Sequence, residues 1–289
     1  MDCTERRERF RAILLGTHCV YPGSVFDPIS ARIAEDLGFE AGMFAGSVAS
    51  MTVLGDPDLI LLSLAEFAAQ AHRICRAGRL PLLVDADHGY GNALNVRRTV
   101  EELETAGVAA LTIEDTALPA GFGEPDATRL IPLEEGVGKM RAALSARQDP
   151  RLVIAGRTGA LAVTGLDDAI ARAQAYEACG VDAVFFTGVR SREQLDALAA
   201  ALRGPILLGG TPAALMMDRE YLAGRNVRIC LQGHQPFQAA VQAVHATLAA
   251  LRGGTAPGDL PALASGALMK QVTREDAFAR ASQAFLSGA

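Results

Sequence analysis

The sequence lacks several features that binding to nucleic acids or membranes requires. It has no tryptophan and only 5% aromatic residues, which leaves few side chains to stack on bases or sugars. Its 27 Lys and Arg are scattered and are outnumbered by 33 Asp and Glu, so there is no positive stripe for a phosphate backbone. The longest apolar stretch, residues 59–65, is interrupted by Ser63 and is too short to span a bilayer. We therefore expect neither nucleic acid nor a membrane as a partner.

Cysteine pairing and a secretory leader are also missing. The five cysteines form no CxxC pair, and any disulfide scheme leaves one of them over, which is typical of reduced thiols. The first residues are rich in charge, and the apolar run at 12–15 is too short for a signal peptide. We expect a cytoplasmic protein that binds small polar ligands.

What is present is a regular alternation of elements. Short apolar or β-branched runs alternate with longer Ala-rich amphipathic segments, which predicts parallel strands with helical crossovers. The predicted strands are at residues 19–21, 41–45, 81–84, 109–113, 151–155, 183–186, 205–208 and 227–231. Their starts lie about 30 residues apart, the length of one βα unit. Eight units without a Rossmann fingerprint favour an α/β fold of the closed (β/α)8 TIM barrel type, with an open doubly wound sheet as the alternative.

Helix boundaries can be predicted from capping residues. Asp27 followed by Pro28 is expected to begin one helix, and Asn95 and Asp167 are expected to cap two others. Gly107 and Gly180 are expected to end those two helices.

Two segments do not follow the repeat. We predict one domain over 1–289, with the barrel at 19–251 and a helical assembly tail at 257–289. Because the tail is apolar at helical spacing, it must pack on its own barrel or on a neighbouring subunit. The loop at 116–132 is too long for an ordinary βα turn, which is typical of a functional lid or a disordered segment.

Acidic residues follow two neighbouring strands at the end where barrel active sites form. Asp85 and Asp87 point to the same side if the strand geometry continues, and Glu114 arrives from the next strand. Converging carboxylates repel one another unless a cation or protons intervene. Oxygen ligands favour Mg²⁺ or Mn²⁺. On spacing alone, helix capping and pairing with arginines explain these acids equally well.

Other polar residues follow the remaining strands. Arg157, after the fifth strand, is expected to bind an anion. His234, after the eighth, is equally suited to catalysis and to packing. Asp115 should point away from Glu114 and is expected to be structural, and Cys230 is expected to lie in the core. The Gly-Gly-Thr at 209–211 indicates a turn more than an anion cradle.

Four segments of the sequence resemble a known superfamily. They are Ser24-Val-Phe-Asp-Pro-Ile-Ser-Ala-Arg-Ile-Ala-Glu-Asp, Gly46-Ser47, Asp85-Ala-Asp-His-Gly-Tyr-Gly-Asn-Ala-Leu-Asn-Val and Ile113-Glu-Asp. Together they are similar to the isocitrate lyase and phosphoenolpyruvate mutase superfamily, over residues 20–250. The resemblance implies a (β/α)8 barrel whose C-terminal helix swaps between subunits, a homotetramer built as a dimer of dimers, and Mg²⁺-dependent chemistry on small α-oxo carboxylates.

The resemblance also implies roles for individual residues. Asp85 would bind Mg²⁺ directly, and Asp87 and Glu114 would act largely through its waters. The loop at Ser47 would hold the substrate carboxylate, and Arg157 would bind the substrate.

Departures from the superfamily pattern select a branch. Lyases of the superfamily carry Lys-Arg-Cys-Gly-His where this sequence has Ala-Gly-Phe-Gly-Glu at 120–124, so the acid/base thiol is missing. The lid residues that phosphonopyruvate enzymes need are missing too. His88 and the Gln-Gly-His-Gln around His234 most closely resemble the oxaloacetate decarboxylase branch, whereas Gly159 and the tip at 209–211, without a tyrosine, depart from it.

This branch implies Mg²⁺-dependent decarboxylation of oxaloacetate to pyruvate through a metal-bound enolate, with Arg157 and His234 as catalytic residues. Two alternatives remain. One is another C–C or P–C lyase or hydrolase of the superfamily, acting on 2-methylisocitrate or phosphonopyruvate. The other is a non-catalytic barrel that binds a metabolite.

Overall fold

Eight short parallel strands form the centre of the protein. The computed structural model describes residues 3–123 and 128–287. The strands in this part of the chain are β1 (Gly23–Ser24), β2 (Gly42–Phe44), β3 (Leu82–Asp85), β4 (Ala110–Glu114), β5 (Val153–Thr158), β6 (Ala183–Thr187), β7 (Ile206–Gly209) and β8 (Val227–Cys230). They pair in chain order, each parallel to the next. The predicted (β/α)8 architecture is confirmed.

One parallel bridge connects the last strand to the residues before the first. Val20 N donates to Arg228 O at 2.8 Å, and Cys230 N donates to Val20 O at 3.0 Å. The predicted first strand at 19–21 is therefore displaced: Val20 pairs with β8, and the pairing with β2 begins at Gly23. The other seven predicted strands overlap the observed ones. Most strand residues are fully buried, as expected of parallel strands covered on both faces.

Helices follow each strand and cover the outside of the sheet. They are α1 (Cys3–Leu15), α2 (Pro28–Asp36), α3 (Gly46–Ala49), α4 (Leu64–Cys75), α5 (Ala93–Ala106), α6 (Leu133–Ala146), α7 (Ala160–Val163), α8 (Leu166–Cys179), α9 (Arg192–Ala201), α10 (Ala213–Met216) and α11 (Arg219–Gly224). A π-helical turn, Ser50–Leu54, follows α3.

The capping predictions hold at some helix ends and are wrong at two. Asp27 caps α2 and accepts from Ser30 N at 2.7 Å. Gly107 and Gly180 follow α5 and α8 with left-handed backbones. However, α5 begins three residues earlier than expected, because Asn92 is the cap and Asn95 instead accepts from its amide at 3.1 Å. Helix α8 begins after Gly165, so Asp167 lies in its first turn.

Helix α1, which the sequence did not predict, lies against the amino ends of the strands. Arg7 donates to Val108 O at 3.2 Å and to Glu104 O at 2.7 Å, and it pairs with Asp149 at 2.8 Å. Phe10 is completely buried. Because Val108 and Asp149 directly precede β4 and β5, α1 covers the end of the sheet opposite the candidate site.

The chain divides into two compact units, Met1–His234 and Gln235–Ala289. The second unit contains α12 (Gln235–Arg252), a 3₁₀ turn (Pro257–Asp259), α13 (Gly266–Thr273) and α14 (Glu275–Leu286). Helices α13 and α14 lie where the apolar spacing predicted a helical tail. Within the described residues, no helix has the length and hydropathy needed to cross a membrane.

Candidate active site

A cavity of about 450 Å³ opens at the carboxyl ends of the strands. Its lining residues come from the strand ends and from the loops that follow them: Met43, Ala45, Ser47, Asp58, Leu59, Ile60, Asp85, Asp87, Glu114, Leu118, Ala120, Arg157, Phe185, Thr187, Gly209, Gly210, Leu231, Gly233 and His234. The structure therefore brings all six predicted site residues, from Ser47 to His234, to a single cavity.

Strand register places the acidic and basic residues next to one another. Asp85 is paired with Thr112 on β4, and Glu114 is paired with Arg157 on β5. Thr112 Oγ1 donates to Asp85 Oδ1 at 2.9 Å. The guanidinium of Arg157 donates to Asp85 Oδ2, and its Nη2 lies 3.1 Å from Glu114 Oε2. Arg157 thus bridges two of the three predicted carboxylates.

Asp87 reaches the cavity by a different route from the expected one. Strand β3 ends at Asp85, and Asp87 has a φ of 46°, in the left-handed region. The strand geometry therefore does not continue, and a turn rather than the period of two directs the side chain. Opposite it, a Cβ on Gly46 would lie 2.5 Å from Asp87 Oδ2, so any larger residue where α3 begins would displace the carboxylate of Asp87.

Negative charge is concentrated at this end of the cavity. Burial raises the pKa of Asp87 well above its usual value, and the charges of Asp85 and Glu114 raise it further. Burial also raises the pKa of Glu114, although Arg157 opposes the shift, and burial beside Asp85 raises that of Asp58. Burial disfavours the charge of Arg157, but Asp85 and Glu114 outweigh it and raise its pKa. Four carboxylates therefore face one permanent cation.

The donor set fits a hard divalent cation. Among the described residues, no group of three or more His, Cys, Asp or Glu side chains is spaced to hold a metal ion, and Arg157 is the bridge between Asp85 and Glu114. The acidic side chains that line the cavity, Asp58, Asp85, Asp87 and Glu114, nevertheless offer oxygen ligands, which Mg²⁺ and Mn²⁺ prefer. The charges of Asp85 and Glu114 contribute to the raised pKa of Asp87, and a cation among these carboxylates would relieve their repulsion.

Arg157, beside the carboxylates, and His234 supply polar groups that an anionic ligand could contact. Nε of Arg157 is buried, and no hydrogen-bond partner for it exists in residues 3–123 and 128–287. The guanidinium lies over the ring of Phe185, 5.4 Å from its centroid. His234 Nδ1 is 2.9 Å from Ser24 Oγ. Burial lowers the pKa of His234 against the opposing charge of Asp85, which favours the neutral imidazole.

Residues expected to be structural lie outside this cavity. Asp115 is 1% exposed and accepts from Tyr176 Oη at 2.8 Å and from Arg172 Nη1 at 3.2 Å. Cys230 is completely buried, and burial raises the pKa of its thiol to about 11. Gly159, which departs from the pattern of the superfamily branch, has space for a side chain, because a Cβ there would meet nothing closer than Thr187 Oγ1 at 3.6 Å.

Related proteins identify the family. The sequence profile of phosphoenolpyruvate phosphomutase matches residues 10–252. The chain belongs to this phosphomutase family. It is 66% identical over 275 residues to a Bradyrhizobium diazoefficiens protein named oxaloacetate decarboxylase, with 95% of each chain covered. It is 59% identical over 286 residues to a Rhodopseudomonas palustris protein of the same name, with 99% of each covered.

Solved structures of other proteins share the fold at lower identity. An oxaloacetate acetylhydrolase with the inhibitor 3,3-difluorooxalacetate has a TM-score of 0.85 and 28% identity, covering 96% of this chain and 97% of that one. A phosphonopyruvate hydrolase complex with oxalate and Mg²⁺ has the same TM-score and identity, covering 98% and 99%. The superfamily resemblance is confirmed.

The sequence analysis did not predict several residues of this site. Asp58 lies in the loop after the π-helical turn, where no strand end marked it, and its only signal was the Gly-Asp-Pro-Asp turn sequence at 55–58. Thr112 lies inside a strand and became recognisable only from the register. Residues 124–127 of the predicted lid lie outside the described part, and Thr116 bridges Leu130 at the base of that loop.

Proposed function

We propose that this protein decarboxylates oxaloacetate to pyruvate, using a divalent cation held by Asp85, Asp87 and Glu114. The observation that carries the proposal is the meeting of these three carboxylates with Arg157 in one cavity. The names of relatives that are 59–66% identical over nearly the whole chain support the choice of substrate and bond. None of the described lining residues is a cysteine, which disfavours the thiol-dependent lyase chemistry.

A divalent cation held by these residues would supply Lewis acidity, which would draw electrons from the C3–C4 bond of the substrate. Mg²⁺ or Mn²⁺ suits the oxygen donors. Asp85 is held in place by Thr112 and Asp87 by its turn, so these oxygens are oriented before a ligand arrives. Thr112 and the turn therefore reduce the reorganisation that binding would otherwise require.

Arg157 and His234 act on the substrate itself. The charge of Arg157 and its free Nε suit a carboxylate of the substrate, and Ser47, at the cavity wall beside the start of α3, suits another. His234, whose neutral imidazole is favoured by burial, is hydrogen-bonded through Nδ1 to Ser24. It orients the departing carboxylate, and a proton from solvent, relayed through the imidazole, would be delivered to C3 once CO₂ has left.

Product analysis separates this function from its relatives. Oxaloacetate labelled with ¹³C is incubated with the protein and Mg²⁺ and followed by NMR. Cleavage of C3–C4 gives pyruvate and CO₂, whereas hydrolysis of C2–C3 gives oxalate and acetate. We expect pyruvate alone, and oxalate with acetate would contradict the proposal. Turnover of 2-methylisocitrate or phosphonopyruvate in place of oxaloacetate would support another superfamily reaction. Oxalate binding without turnover of any 2-oxo diacid would support a non-catalytic barrel.

We also propose a cytoplasmic homotetramer, a dimer of dimers in which the C-terminal helices contact a partner subunit. Helix α12 has no buried residue, and its Val241, Val244 and Leu248 are more than half exposed. Phe278 and Phe285 of α14 are 67% and 82% exposed. Such surfaces are typical of subunit interfaces. Deleting residues 259–289 should lower the mass measured by light scattering, and an unchanged mass would contradict the proposed swap.

A further inference from the structure

The turn that carries Asp87 is held at three successive carbonyl groups. Asp87 O accepts from Glu114 N at 2.8 Å, and His88 O accepts from Lys139 Nζ at 2.9 Å. Gly89 O accepts from Thr99 Oγ1 at 3.0 Å. These three donors belong to β4, α6 and α5, which are three different elements. The conformation of the turn is therefore imposed from outside it.

This turn needs such support because its backbone is unfavourable. Asp87 and Tyr90 have φ angles of 46° and 60°, and Gly89 and Gly91 have 79° and 145°. Left-handed conformations of non-glycine residues are unfavourable and persist only where the surroundings enforce them. Without the donors, the chain would relax towards ordinary backbone angles and Asp87 would move.

Lys139 is an unusual residue to find at such a position. It is one of two lysines in the sequence, and it is 2% exposed. Burial lowers the pKa of its amine, although Glu135 and Glu114 oppose the shift. No carboxylate of the described residues lies within 4 Å of its Nζ, and the acceptor recorded for it is His88 O. A buried charge with a single neutral acceptor is costly, so the hydrogen bond to the turn is the contact that explains the lysine.

The contact of Thr99 with the turn distinguishes it from another threonine on the same helix. Thr99 and Thr105 both lie on α5, and each hydroxyl is within hydrogen-bond distance of the carbonyl four residues before it, at 3.1 Å and 2.8 Å. The one hydrogen of the Thr99 hydroxyl is shared between that carbonyl and Gly89 O, at 3.0 Å. Only Thr99 is completely buried and also reaches the turn.

We infer that Thr99 and Lys139 are positioning residues, which hold the carbonyls of Gly89 and His88 and thereby fix the turn that presents Asp87 to the cavity. They contact neither substrate nor cation, and they act through the backbone. The inference rests on the proposed role of Asp87 in holding the cation. The hydrogen bonds themselves are independent of that role.

The test compares Thr99→Val and Lys139→Met with wild type, with Thr99→Ser as the conservative variant and Thr105→Val as the matched control. Isothermal titration with Mn²⁺ alone measures the Kd. We expect Thr99→Val and Lys139→Met to weaken Mn²⁺ binding about 10- to 100-fold, as loss of an outer-shell partner typically does. Thr99→Ser and Thr105→Val should stay within about twofold of wild type.

Hydrogen exchange of the peptide covering 86–91, in protein without added metal, gives a second readout. Thr99→Val and Lys139→Met should exchange faster there than Thr105→Val. If both variants lose only thermal stability, while Mn²⁺ affinity and exchange match the control, the positioning role is wrong. If Lys139→Met fails to fold, the pair Thr99→Val and Thr99→Ser decides. Failure of wild type to turn over oxaloacetate, with altered exchange in the variants, would contradict the proposed function and leave the positioning role supported.

Discussion

Glu114 and Asp115 are adjacent in sequence, and their side chains lie in different surroundings. Glu114 faces the cavity beside Arg157. Asp115 faces outward into a buried network with Arg172 and Tyr176. The substitutions Glu114→Gln and Asp115→Asn each remove one charge and keep the size, so they separate catalysis from stability at neighbouring positions.

Asp115→Asn should destabilise the protein without changing its chemistry. Removing one partner of a buried ion pair costs about 3–5 kcal/mol. Arg172 keeps Asp168 at 2.8 Å and Ile131 O at 3.0 Å, so we expect the lower end, about 3 kcal/mol. For a chain of this size that corresponds to a fall in Tm of about 6 °C. The value of kcat, measured below the transition, should match wild type.

Glu114→Gln should show the reverse. Burial disfavours the ionised form of Glu114 and offsets part of its pairing with Arg157, so neutralising Glu114 should cost less stability than Asp115→Asn does. Its kcat/KM for oxaloacetate should fall about 100-fold, because an oxygen of the proposed cation site is lost.

Urea unfolding followed by circular dichroism, with pyruvate formation assayed on the same samples, measures both quantities. A folded Asp115→Asn protein as inactive as Glu114→Gln would refute the assignment. An active Glu114→Gln protein would refute it equally.

Two further substitutions test other parts of the structure. Arg7→Met removes the contacts of α1 with the strand ends and should cost about 3 kcal/mol at pH 7. Burial raises the pKa of Asp149, but Arg7 and Arg151 outweigh it and lower that pKa. The contribution of the pair is therefore present above about pH 4 and is lost as the pH falls through the lowered pKa. The difference in stability between wild type and variant should therefore narrow in acid to the part that comes from the bonds of Arg7 to Val108 O and Glu104 O; a difference that stays constant would exclude the ion pair as a contributor. Gly46→Ala should reduce kcat about 10- to 100-fold by displacing Asp87. The control is Gly138→Ala, where a Cβ meets nothing within 4 Å; it should keep full activity and gain about 0.5–1 kcal/mol in the free energy of unfolding. Equal activity of these two variants would contradict the close approach of Gly46 to Asp87.

The fold could be predicted because the spacing of apolar residues and glycines along the chain indicates the strands and the helix ends directly. Runs such as Ile206-Leu207-Leu208 mark buried parallel strands, and glycines such as Gly107 and Gly180 mark the helix ends. The first strand was misplaced because its pairing is divided: Val20 bonds to β8, and Gly23 bonds to β2. No local pattern in the sequence records that division.

Residues of the site could be predicted only where they lie at or directly after the end of a strand. Asp85, Glu114 and Arg157 come directly from that rule. Asp87 was placed by an argument from strand period, but a left-handed turn brings it to the cavity. Asp58 comes from a long loop. Lys139 and Thr99 act across elements, and their side chains meet the turn only in the folded chain.

The most direct test of the central claim is the rate of oxaloacetate decarboxylation by the purified protein with Mg²⁺, with and without EDTA. Free Mg²⁺ at the same concentration gives the background rate. The account predicts a rate well above this background that EDTA abolishes and restored Mg²⁺ recovers. It also predicts that Asp85→Asn reduces the rate to the background. A wild-type rate no higher than that of free Mg²⁺ would contradict the account.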